Sequence, residues 1–219
     1  MAEQPIISFE GVFLRHEDHL AYGPLNLELR AGQGAMLLVN DLGLMRRLMQ
    51  CCLGLECPAA GRISWWTAIE PAEGNDRDRY DFYRQIGYVD RLSQLLGSLT
   101  LLENLGLYYL YAGEDRGLAL ARRVLDLFGL AGFEHLRADE LPEPQRRLAL
   151  YALAFCQKPR LMLMERPSQF LDRDYDQVWD RILKRAANSG LAYIVFDRSR
   201  IPYSRDHFTF IQTLKPGRM

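Results

Sequence analysis

The stretch 161–172, LMLMERPSQFLD, limits the possible folds more than any other part of the chain. Leu161, Met162, Leu163 and Met164 form an unbroken apolar run with no side chain suited to water. This pattern predicts a parallel strand inside a sheet that helices cover on both faces. Glu165 and Arg166 follow, then Pro167, a second apolar point and Asp172. In an open α/β sheet ligands gather beyond the carboxyl ends of the strands, so Glu165 and Arg166 stand where a site is expected.

The rest of the chain supplies partners for that strand. Buried strands are expected at 35–39 (AMLLV) and 192–196 (AYIVF), with others at 84–89 (RQIGYV) and 208–214. Residues 6–14 alternate loosely, and Leu25, Leu27 and Leu29 alternate cleanly with Asn26, Glu28 and Arg30. Together they predict a half-buried antiparallel pair. Helices are expected at 46–55, with Leu48, Met49, Cys52 and Leu55 inward, at 118–130, ended by Gly129 and Gly132, and at 146–155. A further helix carries Tyr175, Val178, Trp179, Ile182 and Leu183 at helical spacing and ends at Ser189 and Gly190. Thr100 and Glu103 have the spacing of a capping box and open a helix rich in tyrosine, with Tyr108, Tyr109 and Tyr111. The polar run 73–81 is expected to be a surface loop, and Pro216 with Gly217 a closing turn.

A length of 219 residues suits one large α/β domain, and a formal net charge of -1 gives no general attraction to nucleic acid. The four cysteines, Cys51, Cys52, Cys57 and Cys156, lack paired metal-ligand spacing and read as reduced core thiols of a cytosolic protein. No basic start leads into an apolar leader, and no run approaches the roughly 18 apolar residues of a membrane span. The expectation is a chain neither secreted nor membrane-spanning.

Between the strand at 35–39 and the next helix lies NDLGLMRR, residues 40–47. Strand, loop and helix in this order make the place for a phosphate-binding loop of the pattern G-x-x-x-x-G-K-[ST], whose glycines let backbone N–H groups close around phosphates. Of those glycines Gly43 is kept. Asn40 and Met45 stand at the other two, Arg46 at the lysine and Arg47 at the Ser/Thr, with Asp41, Leu42 and Leu44 between. A side chain at Met45 is expected to crowd the loop, and a left-handed backbone there is costly for anything but glycine. Three lost contacts at about 1.5–3 kcal/mol each remove roughly 5–9 kcal/mol. A micromolar affinity amounts to about 8 kcal/mol.

From Phe9 to Arg218, in motif order and spacing, the chain resembles the ATPase subunit of ABC (ATP-binding cassette) transporters. The resemblance implies that 161–172 is the Walker B strand and D-loop, with Glu165 at the Mg-holding Asp and Arg166 at the catalytic Glu. Pro167, Leu171 and Asp172 are kept. Arg91 occupies the position of the Q-loop Gln, with Gln94 three residues later. Leu141, Pro142, Glu143, Pro144 and Gln145 stand at the signature Leu-Ser-Gly-Gly-Gln, which in the family binds the γ-phosphate held by the opposite subunit. Asp197 stands at the switch His, followed by Arg198. His16 is nearest to the residue on which adenine stacks, with Tyr22 farther on. The tyrosine-rich helix would help form the groove for a coupling helix of the transmembrane subunit.

The resemblance therefore implies an α/β fold: a P-loop NTPase-like core with a mostly parallel central sheet, a small N-terminal antiparallel β subdomain and an inserted helical subdomain. The whole of 1–219 would be one ABC ATPase-like domain, with 1–90 and 159–219 forming the core and β subdomain and 91–158 the helical subdomain. Arg166 cannot accept a proton from water, because a guanidinium stays charged. The expected function is thus a degenerate subunit, structural or regulatory, without its own ATPase activity and without a required cofactor. Its expected partners are a transmembrane permease and another ABC-type ATPase subunit, as homo- or heterodimer, at the inner face of the cell membrane. No nucleic acid is expected. The alternative is a subunit that still binds ATP and Mg weakly through Arg46 and Glu165 and takes part in ATP-driven transport. A third reading is a soluble ABC-type protein attached to no membrane. Two ion pairs are expected to fill the altered site, Arg166 with Asp197 and Arg46 or Arg47 with Glu165. Against them stands convergence of Arg46, Arg47, Arg91 and Arg166 on some other anion.

Overall fold

Strands β1 (Ile7–Arg15) and β2 (Ala21–Leu29) pair antiparallel in the computed structural model, which describes residues 4–15, 21–67, 74–111, 113–169, 175–198 and 204–217. Leu25, Leu27 and Leu29 all point into the core, as their alternation requires. Strand β4 (Ala60–Trp65) joins the far side of β1, and the two-residue β9 (Pro216–Gly217) joins β2. The small sheet therefore runs β4-β1-β2-β9. Pro216 and Gly217, expected as a turn, are an edge strand because they meet Tyr22 and Ala21 in register.

The larger sheet is wholly parallel between neighbours, in the order β5 (Ile86–Val89), β6 (Leu161–Glu165), β7 (Ala192–Asp197), β3 (Gly34–Leu38) and β8 (Phe210–Thr213). Every residue of β6 and β7 is buried. Period-two geometry divides their side chains between two cores. Met162, Met164, Tyr193 and Val195 face one cluster, while Leu161, Leu163, Ile194 and Phe196 face the other. Tight packing has a local condition at Gly34, where a Cβ would lie 2.2 Å from the Tyr193 ring.

Helices cover both faces. On one lie α3 (Leu101–Tyr111), α4 (Gly117–Leu127), α5 (Glu143–Cys156) and α6 (Asp176–Asn188). On the other lies α1 (Leu42–Cys52), packed with the small sheet. Gly129, at φ 69, follows the Phe128 C-cap of α4. Residues 76–81, expected within a loop, belong to α2 (Asp76–Tyr83). Asn75 caps it by accepting from the Arg77 and Asp78 N–H groups, and Phe82 anchors it by stacking on Trp66. Leu55, expected inward, is 59% exposed because α1 has already ended. Three cysteines are buried, as expected of core thiols, but Cys57 is exposed in the connection after α1. Among the described residues no helix is long and apolar enough to cross a membrane.

Candidate functional site

The carboxyl ends of β3, β5, β6 and β7 meet at one edge of the large sheet, and the residues expected to form a site line that edge. After β3 the chain turns at Asn40 and Asp41 and enters α1 at Leu42, four residues earlier than expected. The Asp41 carboxylate caps the helix, Oδ1 accepting from the Leu44 N–H at 2.7 Å, and its carbonyl accepts from Met45 N. None of the described residues 40–47 has a left-handed backbone. Met45 does not crowd a loop. It lies on the inner face of α1 and is fully buried. Gly43 keeps the cap roomy, since a Cβ there would stand 3.2 Å from Asp41 Oδ1.

At the end of β6 Glu165 is buried, and its Oε2 accepts the Arg91 backbone N–H at 2.9 Å. Asp90 organises the neighbouring turn, Oδ1 accepting from Leu92 N at 3.0 Å and Ser93 N at 2.8 Å. The same carboxylate lies beside the half-buried Tyr88, whose hydroxyl pKa is pushed up by burial first and by Asp90 second. Gln94 is exposed.

Neither expected ion pair forms among the described residues. Arg47 Nε lies 3.3 Å from Glu56 Oε2, and Arg47 Nη1 donates to the Arg15 carbonyl. The early start of α1 turns this side chain away from Glu165, whose carboxylate already holds the Arg91 amide. Arg46 is exposed and makes no ion pair with Glu165. Arg166 and Asp197 do end adjacent strands, but the link between those ends is main-chain: Arg166 N donates to Phe196 O at 2.7 Å. Asp197 is buried and accepts from Arg198 N at 2.8 Å, while its own carbonyl accepts from Val39 N at 2.8 Å. Arg166 adopts φ 43, a left-handed backbone uncommon outside glycine. The four arginines do not all converge, because Arg47 faces Arg15 and Glu56.

The residue that sequence reasoning missed is Arg147. Its side chain is 4% exposed, Nη1 donates to Asp90 O at 2.7 Å and Nη2 to Glu165 O at 2.9 Å. Tyr151, one helical turn on, donates to the same Glu165 carbonyl at 3.1 Å, and the guanidinium lies 5.4 Å from its ring centroid. Burial pushes the Tyr151 phenol up. A signal existed: Arg147 falls on the same helical face as Leu148, Tyr151 and Ala152, where a solvated charge is out of place.

Residues 141–145 open α5. Leu141 is buried, Pro142 is the N-cap, and Glu143 and Pro144 lie in the first turn, three residues before the expected start at 146. Glu143 is bound by Arg146 of its own helix, and Gln145 Nε2 donates to Tyr175 Oη at 2.9 Å. The tyrosines of α3 divide. Tyr109 is buried, Tyr108 donates to Gln157 O at 3.3 Å, and Tyr111 is 88% exposed. His16, Leu171 and Asp172, with Glu73 of the expected loop, lie outside the described residues.

The chain matches no protein-family model. The lipoprotein-releasing system ATP-binding protein LolD of Gluconobacter oxydans is 33% identical to it over 200 residues, covering 88% of this chain and 84% of LolD. The structure of cbiO1 from Clostridium perfringens, part of the ABC transporter complex cbiONQ, superposes with a TM-score of 0.80 at 16% identity, covering 97% of this chain and 86% of cbiO1. A bacterial ABC transporter cassette solved as a dimer superposes at 0.74 with 19% identity, covering 97% of this chain and 99% of that one. At these identities the two structures share the fold.

Proposed function

We infer, because this chain belongs to the family of ABC transporter ATP-binding proteins, that it fills the place of such a subunit in a membrane transporter while its own nucleotide site does not turn over. The observation that carries this reading is Asp41. Its carboxylate occupies the N-terminus of α1 and accepts the Leu44 N–H, at the position where a phosphate-binding loop of this family would offer free donors. A phosphate there would have to compete with the Asp41 carboxylate for the Leu44 N–H. Arg166 adds to it, because no base stands at that position to take a proton from an attacking water. Pro142, Glu143 and Pro144 act in the same direction, since proline has no N–H to give and Glu143 is negative. ATP with Mg does not fit this set of residues, and no hydrolytic step is assigned to them.

The subunit then works by shape. It docks on a permease at the inner face of the cell membrane and pairs with a second ATPase-type subunit, an assembly that the dimeric cassette and the cbiONQ complex support by likeness of fold. Calorimetric titration of the purified chain with ATP and Mg tests the reading. Absence of saturable binding is expected, and a dissociation constant below about 10 μM overturns it. One observation favours the weaker-binding alternative: Glu165 keeps a carboxylate at the end of β6. Under that alternative the same titration gives a weak but saturable isotherm that Glu165→Gln abolishes.

A further inference from the structure

Helix α4 carries two apolar stripes, one fully buried and one packed only part-way against the same core. Ala121, Leu125 and the C-cap Phe128 are fully buried. Leu120, Val124 and Leu127 repeat the same spacing but stay half-buried, because they line a cleft of about 730 Å³ together with Phe155. Pro159 and Leu191, which also line it, lie two residues before β6 and one before β7. The cleft thus opens at the amino ends of the parallel strands, the opposite edge of the sheet from Asp41, Glu165 and Asp197.

Three separate segments bring cations to it: Arg123 from α4, Arg185 from the last turn of α6, and Lys158 from the link between α5 and β6. Asp126 is the carboxylate of the lining. Among the described residues Arg123 and Arg185 form no ion pair, and Lys158 reaches Glu114 only at 3.8 Å with both side chains well exposed. The volume falls within the range of small-molecule sites. An apolar floor under an excess of cations suits a ligand with an alkyl body and an acid head. We propose that this cleft binds an amphipathic carboxylate, an acyl-chain anion whose chain packs on Val124, Leu127 and Phe155 while its head meets Arg123 and Arg185.

The test is calorimetric titration of the full chain with dodecanoate below its micelle-forming concentration, in the absence of nucleotide, so that the outcome does not depend on the strand-end site. Saturable binding at one site is expected, weakened about tenfold or more in the Arg123→Glu, Arg185→Glu double variant. Both positions are exposed, so the variant should keep the fold. Arg122→Glu, an exposed change on the same helix that lines a different cleft, should leave the affinity unchanged. Dodecyltrimethylammonium, with the same chain and the opposite charge, should bind about tenfold more weakly or not at all. The proposal is overturned if dodecanoate shows no saturable binding, if the double variant binds it as the parent does, or if the cationic amphiphile binds equally well.

Discussion

Asp41 does for α1 what a phosphate oxygen does at a ligand-binding helix N-terminus: it accepts an N–H that the helix cannot satisfy itself. Asp41→Ala should therefore lower the unfolding free energy by about 1 kcal/mol in urea titration, while Asp41→Asn, still a good cap, should change it little. Equal losses in the two variants would mean that charge, and not the cap, supplies the stabilisation. Arg147 is a larger effect at the same scale. Arg147→Met keeps the volume but removes two charge-assisted hydrogen bonds, from Nη1 to Asp90 O and from Nη2 to Glu165 O. The loss should be about 3 kcal/mol, which for a domain of this size is roughly 6–12 °C in Tm by thermal melting. Arg166→Glu restores a carboxylate at the end of β6 but leaves Asp41 in place. Phosphate release from ATP should stay at background in that variant, and turnover above it would count against the reading of the site.

Helix α3 shows a feature that sequence and structure share. Thr100 N and Thr100 Oγ1 both donate to Glu103 Oε2, at 2.7 and 2.8 Å, and Glu103 N donates back to Thr100 Oγ1 at 3.2 Å. The backbone bond first and the hydroxyl second hold the Glu103 carboxyl below its usual range. A carboxyl lowered in the folded state contributes stability that is complete above the unfolded value, about 4.3, and is lost as pH falls through the folded value. Amide protection factors at the start of α3, which take out the intrinsic slowing of exchange in acid, should therefore fall in acid in the parent protein. The Glu103→Gln variant should exchange faster at neutral pH and show a flatter pH response. A parent and variant of equal slope would remove the box as the cause. Where helix starts differed from expectation, the capping residue decided. Asp41 drew α1 forward to Leu42, and Pro142, with an acidic residue and Pro144 behind it, drew α5 forward to Glu143. Helix α2 was hard to read because Phe82 is its one buried residue, so it has no periodic stripe.

At the scale of the molecule, the large sheet has helices on both sides and a small antiparallel sheet beside α1, the fold of the ABC cassettes it superposes on. Ligand binding raises stability by RT ln(1 + [L]/Kd), so a site with no useful affinity for ATP leaves the melting curve unmoved. With ATP and Mg at millimolar concentration the gain should be less than about 0.5 kcal/mol. Light scattering should give the same mass with and without nucleotide, since no triphosphate is needed to join the proposed assembly. A rise in mass on adding ATP and Mg would restore a working nucleotide site to the picture.

Local pattern was enough to place the strands of the large sheet. The four apolar residues at 161–164 and the run at 192–196 had to be buried on both faces, because solvent contact on either side costs free energy that no neighbour could return. The same pattern could not choose partners for the charges. Glu165 had arginines within reach on paper, yet took the backbone N–H of Arg91; Arg47 took Glu56 and the Arg15 carbonyl; Arg147, hidden inside an apolar helix, closed the ends of β5 and β6. Burial follows from the composition of a few consecutive residues. The pairing of polar groups depends on where separate segments come to rest, and several arrangements differ by no more than a hydrogen bond or two, so only the packed chain selects among them.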